Sequence, residues 1–205
     1  EIMPSLVGSE MCIRDRADDI PNINIRTATT DDVPEIKALV DIYAGKILLE
    51  KNLIDIYEAL QEYVVVESAG HIIGCGALHV LWSDLGEIRT VAVHPKAHHH
   101  GIGHTIVTTL LKKAHQLNLE RVFVLTFEVN FFARYGFKEI EGTPVSRTTY
   151  EQMLRSYDAG VAEFLDLSSV KPNTLGNTRM LAHIKPQGVD TVSYTHLTLP
   201  TILLV

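Results

Sequence analysis

Residues 91–107 read VAVHPKAHHHGIGHTIV and place five histidines and two glycines between an apolar run and a second apolar pattern. Two chemistries compete for such a stretch: metal ligation by imidazoles, and anion binding by main-chain N–H groups where a glycine loop opens a helix. His98, His99 and His100 are consecutive, whereas zinc ligands are usually spaced by two to four residues, so all three reach one ion only through a contorted loop. His94, His100 and His104 can be drawn to one side, but the expectation is no metal and solvated loop imidazoles. The glycines suit the second chemistry. Gly101 and Gly103 allow an oxyanion to approach the backbone where unsatisfied N–H groups and the positive end of a helix face outward. This is not a Walker loop, since no Gly-Lys-Ser/Thr follows, and not a dinucleotide fingerprint, since Ile106 stands where the third glycine belongs. Alone, Gly101-Ile102-Gly103 fits a structural tight turn equally well.

The elements that would position this loop follow from periodicity. INIRTA (23–28) alternates as a strand. The segment after it carries capping residues, acids in the first turn, and Ile36, Leu39, Val40 and Tyr43 at helical spacing. NLIDIYEALQEY (52–63) puts Leu53, Ile56, Tyr57 and Leu60 on one helical face, and the β-branched VVVES that follows pairs through Ser68-Ala69-Gly70 with HIIGCGALHVL as a hairpin. GEIRTVAVH is a further strand, apolar enough at Val91-Ala92-Val93 to lie centrally in a sheet. After Gly103, the stripe Ile106, Val107, Leu110, Leu111, Ala114 and Leu117 predicts an amphipathic helix on that sheet. RVFVLT (121–126) reads as a buried strand, and FEVNFFARYGF as a short helix closed at Gly136 with a strand from Phe137. Residues 148–157 read as helix and NTRMLAHI as the last strand, with a loop between them that includes SSVKPNTLGN.

The 205 residues, 46% hydrophobic and 21% charged, suffice for one sizeable core. A net charge of −7 argues against a general nucleic-acid or anionic-membrane binder. No apolar stretch approaches the roughly 18 residues of a membrane span, and no basic-then-apolar segment opens the chain, so the expected compartment is the cytoplasm. Cys12 and Cys75 build no disulfide framework, and Cys75 reads as a small buried thiol. The two ends look foreign. One codon choice for MCIRD (11–15) has a reverse complement that encodes VSYTH (192–196), and both flanks resemble translated sequencing adaptors. Residues 1–16 and 191–205 are therefore expected to be adaptor-derived scars around a single domain at 17–187.

GEIRTVAV, His94-Pro95, the Gly101-Ile102-Gly103 loop, the amphipathic helix, RVFVLT and FFARYGF together resemble the GNAT superfamily of acetyl-CoA-dependent N-acyltransferases, over most of residues 23–184. The resemblance implies an α/β (α+β) fold with a central mixed, mostly antiparallel sheet of about six or seven strands flanked by helices. It implies that amides of His98, His99, His100, Gly101, Ile102, Gly103 and His104 hold the pyrophosphate of acetyl-CoA. The family loop pattern is Gln/Arg-x-x-Gly-x-Gly/Ala, and His98 takes its first position here. It further implies that the Val91-Ala92-Val93 strand pairs with pantetheine, since an extended ligand can add to a strand edge through main-chain bonds. Phe132 stands where many members carry a tyrosine that protonates the departing thiolate.

Within the superfamily, IRTATTDDV, AGKILLEK, GCGALHVLWSDLGEIRTVAVHP and NTRML resemble amino-acid N-acetyltransferases that act as N-acetylglutamate synthases, in a short form. Such an acceptor brings two carboxylates and an ammonium. Arg26, Lys46, Lys51, Arg89 and Arg179 are available as cations, and the resemblance favours Arg26, Lys51 and the Asn177/Arg179 region. Each is equally readable as a surface charge. A mostly protonated α-amine must lose a proton before it attacks a thioester, and Glu87, opening the strand beside the acetyl group, is the expected general base through a water. Its alternative is an ordinary strand-end acid. The function so implied is acetyl transfer to L-glutamate in a ternary complex, with a small-molecule acceptor, no nucleic acid or membrane partner, and a homodimer left open. The rival readings are a GNAT enzyme for another small amine or a protein N-terminus, and a non-catalytic acetyl-CoA sensor.

Overall fold

The computed structural model describes residues 22–48, 50–167 and 176–184. The expected scars, Cys12 and the core of the SSVKPNTLGN loop lie outside these residues. Seven strands form one sheet: β1 (Asn24–Thr27), β2 (Tyr63–Ser68), β3 (His71–Trp82), β4 (Leu85–Val93), β5 (Arg121–Thr126), β6 (Lys138–Glu139) and β7 (Thr178–His183). Their order is β1-β2-β3-β4-β5-β7-β6, and only β4 and β5 run parallel. This is the mixed, mostly antiparallel α/β sheet expected from the sequence. The helices are α1 (Val33–Asp41), α2 (Leu53–Glu58), α3 (Ile102–Gln116), α4 (Val129–Ala133), α5 (Arg147–Met153) and α6 (Ala159–Phe164).

The long helix α3 fixes the position of the glycine loop. Its apolar stripe, Ile102, Ile106, Val107, Leu110 and Ala114, is buried against the sheet. The Gly74-Cys75-Gly76 stretch of β3 lets it come close. A Cβ at Gly76 would meet Ile106 Cγ2 at 2.6 Å, and one at Gly74 would meet Ile102 Cγ2 at 2.8 Å, so either methyl would force the helix outward. The α1–α2 layer covers a separate cluster around Ile36, Tyr63 and Val65. A third cluster, around Leu85, Phe123 and Phe164, lies under α5 and α6.

Two departures from the sequence reading matter for function. Residues 159–164, read as loop, form α6, whose cap Asp158 accepts from the N–H groups of Gly160 and Val161. The helix read over 52–63 ends at Glu58, and a 3-10 turn at Leu60–Glu62 leads into β2. Cys75 is fully buried, as read, and burial pushes its thiol up to about 12. Among the described residues, no helix is long and apolar enough to cross a membrane.

Candidate active site

β4 and β5 stay together for only three pairs, from Leu85–Arg121 to Glu87–Phe123. Beyond Glu87 they part, and from Ile88 onward β4 is paired with β3 alone among the described residues. The β3–β4 ladder is itself interrupted: Cys75 faces Ala92 while Ala77 faces Arg89, so Thr90 and Val91 stand opposite Gly76. Thr90 takes φ +57 in this bulge, an uncommon conformation for a β-branched residue, and one that costs on the order of 1 kcal/mol. The His94 N–H donates to the Ile73 carbonyl at 2.8 Å. By antiparallel alternation, Ala92 then serves β3, while the main-chain groups of Val91 and Val93 point to the open edge.

That edge leads to the histidine loop. His99 and Gly101 both adopt left-handed backbone, with φ +67 and +76. The helical ladder begins with the Thr105 N–H on the Gly101 carbonyl, which leaves the N–H groups of Ile102, Gly103 and His104 without helical acceptors. Alternating handedness followed by a helix start builds a concave set of donors suited to an anion. The imidazoles serve the loop itself. His98 Nε2 lies 3.0 Å from the Val93 carbonyl and 2.9 Å from the Tyr43 hydroxyl, which also donates to that carbonyl. His100 Nδ1 lies 2.7 Å from the His98 carbonyl, and His104 Nδ1 lies 2.7 Å from the Tyr135 hydroxyl. Among the described residues, no three His, Cys, Asp or Glu side chains are grouped to hold a metal. Phe132 is buried in the core with Phe137, away from the loop surface, and its neighbour Phe131 is the ring that faces Gly103.

At the fork lies a cavity of about 550 Å³, walled by β3, β4, β5, the turn before β2 and the start of α6. Glu87 is 5% exposed, and its Oε2 has no hydrogen-bond partner among the described residues. Burial pushes its carboxyl up to about 7, with Asp158 adding to the rise and Arg89 opposing it. Around it, Arg89 donates to Asp158 Oδ2 at 2.9 Å and to Glu62 Oε2 at 3.0 Å, and His79 Nδ1 reaches Glu62 Oε1 at 2.6 Å. The cavity is acid-rich: Glu50, Asp55, Glu58, Glu62, Glu87, Asp158 and Glu163 line it against Lys51 and Arg89.

Of the cations picked from the sequence, the structure brings Lys51 and Arg89 to this cavity. Arg26 on β1 is engaged by Asp32 at 2.6 Å and Glu67 at 3.0 Å. Lys46 lies exposed in the turn after α1. Arg179 donates to the carbonyls of Gly142, Glu163 and Phe164, tying β7 to α6, and Asn177 lies just ahead of β7. Glu62, His79 and Asp158 were missed by sequence reasoning. A local signal existed for Asp158 alone, as a helix-capping residue.

Residues 34–137 match the acetyltransferase (GNAT) family. A Mycobacterium tuberculosis protein named amino-acid acetyltransferase is 68% identical over 160 residues, covering 77% of this chain and 92% of the relative. The crystal structure of Rv2747 from Mycobacterium tuberculosis in complex with CoA and NLQ superposes with a TM-score of 0.76 at 65% identity, covering 79% of this chain and 99% of that one. An N-acetylglutamate synthase from Neisseria gonorrhoeae, complexed with coenzyme A and N-acetyl-glutamate, shares the fold with a TM-score of 0.65 at 24% identity. The match covers 80% of this chain and 35% of that longer one. With the forked sheet, the open β4 edge and the donor-lined helix start on one molecule, the chain belongs to the GNAT family of acetyltransferases.

Proposed function

We propose that this acetyltransferase carries the acetyl group of acetyl-CoA to the α-amino group of a free amino acid, L-glutamate first, in a ternary complex, as the opening step of arginine biosynthesis. The observation that carries the reading is Glu87: a buried carboxyl held near neutrality, with one oxygen unpartnered, where β4 leaves β5. A general base is most effective when its pKa lies near the working pH. The acyl carrier fits the chain. The orphaned N–H groups of Ile102, Gly103 and His104 suit a pyrophosphate, and the main chain of Val91 with the N–H of Val93 suits an extended amide arm.

Each group then has a task. The amine nitrogen attacks the thioester carbon, the C–S bond breaks, and sulfur leaves as thiolate. Glu87 takes the ammonium proton, directly or through a water, before the attack; the second proton that nitrogen gives up as the amide forms passes through water to the departing thiolate, and the Val91 N–H faces the thioester oxygen. A thiolate leaves without a dedicated acid, which suits Phe132 in place of a tyrosine. Lys51 is the cavity cation placed to meet an acceptor carboxylate. The name of the 68% identical relative, amino-acid acetyltransferase, favours an amino acid.

One observation favours a second reading. Seven carboxylates against two cations suit an acceptor without extra negative charge, such as another small amine or a protein N-terminus. Coenzyme A thiol release, measured with acetyl-CoA over a panel of amino acids and an N-terminal peptide, separates the two. The proposal expects kcat/KM for glutamate at least about tenfold above uncharged amino acids, a difference of roughly 1.4 kcal/mol in transition-state binding. A preference for uncharged acceptors or the peptide overturns the glutamate assignment. Absence of thiol release with every amine tested overturns catalysis and leaves a binding module.

A further inference from the structure

Arg89 lies two residues from Glu87 on β4, yet it does not hydrogen-bond to it: its nearest nitrogen is 3.7 Å from Glu87 Oε2. The reason is visible in its other contacts. Nη1 is committed to Asp158 and Nη2 to Glu62. Both carboxylates are fixed from behind. Asp158 Oδ1 accepts from Gly160 and Val161 at the start of α6, and Glu62 Oε1 is held by His79. His79 stands directly opposite Glu87 in the β3–β4 register, with its Nε2 3.6 Å from Asp158 Oδ2. The first turn of α6 closes the remaining side, since a Cβ at Gly160 would fall 2.0 Å from Glu87 Oε2.

We propose that Asp158 and Glu62 are positioning residues for acetyl transfer: by clamping Arg89 between them, they keep its guanidinium off Glu87, so that the Glu87 carboxyl is not hydrogen-bonded to a cation and can take the acceptor's proton. The inference rests on Glu87 being the base. A guanidinium hydrogen-bonded to that carboxylate would favour its ionised form and make it a poor proton acceptor. The groups facing Glu87 are Arg89 on its own strand, His79 on β3, Glu62 from the turn before β2, Asp158 and Glu163 from α6 and its cap, and Lys51 ahead of α2. Burial and Asp158 favour its protonated form; Arg89, His79 and Lys51 favour the carboxylate.

The test is the pH dependence of kcat/KM for the full chain and three variants. Asp158→Asn keeps an oxygen to cap α6, and Glu62→Gln keeps length and one acceptor, so each removes the carboxylate's charge and its hold on Arg89 while conserving shape. The parent enzyme should lose activity on acidification with a midpoint near neutrality, and Glu87→Gln should abolish that limb. In Asp158→Asn, and to a lesser extent in Glu62→Gln, the midpoint should fall by about one unit, with kcat/KM at pH 8 down about tenfold and the KM for acetyl-CoA unchanged. An acid limb unmoved in whichever of the two variants folds, while Glu87→Gln still abolishes it, overturns the clamp. A limb that survives Glu87→Gln overturns the base assignment instead, and the clamp with it.

Discussion

The buried carboxyl of Glu87, the proposed general base, costs the molecule stability. Glu87 has its carboxyl raised from 4.5 to about 7 by burial. The folded state therefore binds a proton more tightly than the unfolded chain, so the stability this site permits is present below pH 4.5 and lost as pH rises through 7. Glu87→Gln should therefore raise stability at pH 8 by on the order of 3 kcal/mol and leave it nearly unchanged at pH 4.5. Thermal melts at the two pH values check this, and equal gains at both would contradict it. Asp32 shows the opposite sign. Arg26 holds it down to about 2, so the pair stabilises above the ordinary carboxylate range and is lost as pH falls towards 2. Arg26→Ala should lower stability by about 1–2 kcal/mol in a denaturant titration at pH 7, since it leaves a mostly buried carboxylate short of a partner. Arg26 also shows a limit of sequence reading. Its charge was evident from the residue type, but its engagement by Asp32 and Glu67 depends on two acids, one of them 41 positions away.

Short elements at the fork place these side chains. Ala159–Phe164 is too short to display helical periodicity and contains Gly160, a poor helix former, so α6 was not legible in the sequence. Gly160 leaves the space that Glu87 Oε2 fills. Gly160→Ala should cut kcat/KM by about a hundredfold or more while far-UV circular dichroism stays unchanged, because the new methyl occupies the position of Glu87 Oε2. Activity near the parent level would show that α6 can give way. The bulge at Thr90 was likewise hidden, since GEIRTVAVH reads as one strand with no Gly or Pro at the interruption. By contrast, β4, α3 and β5 carried long apolar patterns, and the structure places them where those patterns ran. The glycines of β3 were visible as residues, but the close approach of α3 that requires them was not.

At the scale of the whole molecule, the sheet is one ladder that splits. β4 follows β5 for three residues and then, among the described residues, pairs with β3 alone, while α3 begins with the N–H groups of Ile102, Gly103 and His104 lacking helical acceptors. The mixed, mostly antiparallel sheet and the position of α3 were legible because the motifs carrying them are contiguous. The acid-rich cavity was not, because its lining is drawn from Glu50 to Glu163 and only the fold assembles it. The claim on which the rest depends is that this open edge and helix start together hold acetyl-CoA, with the thioester delivered to Glu87. Backbone amide exchange followed by NMR, with and without acetyl-CoA, measures it directly. The account predicts strong added protection at the amides of Val91 and Val93 and through His99–His104, with little change on β1 and β6. Protection confined to other elements, or none at these amides at saturating acetyl-CoA, would contradict it.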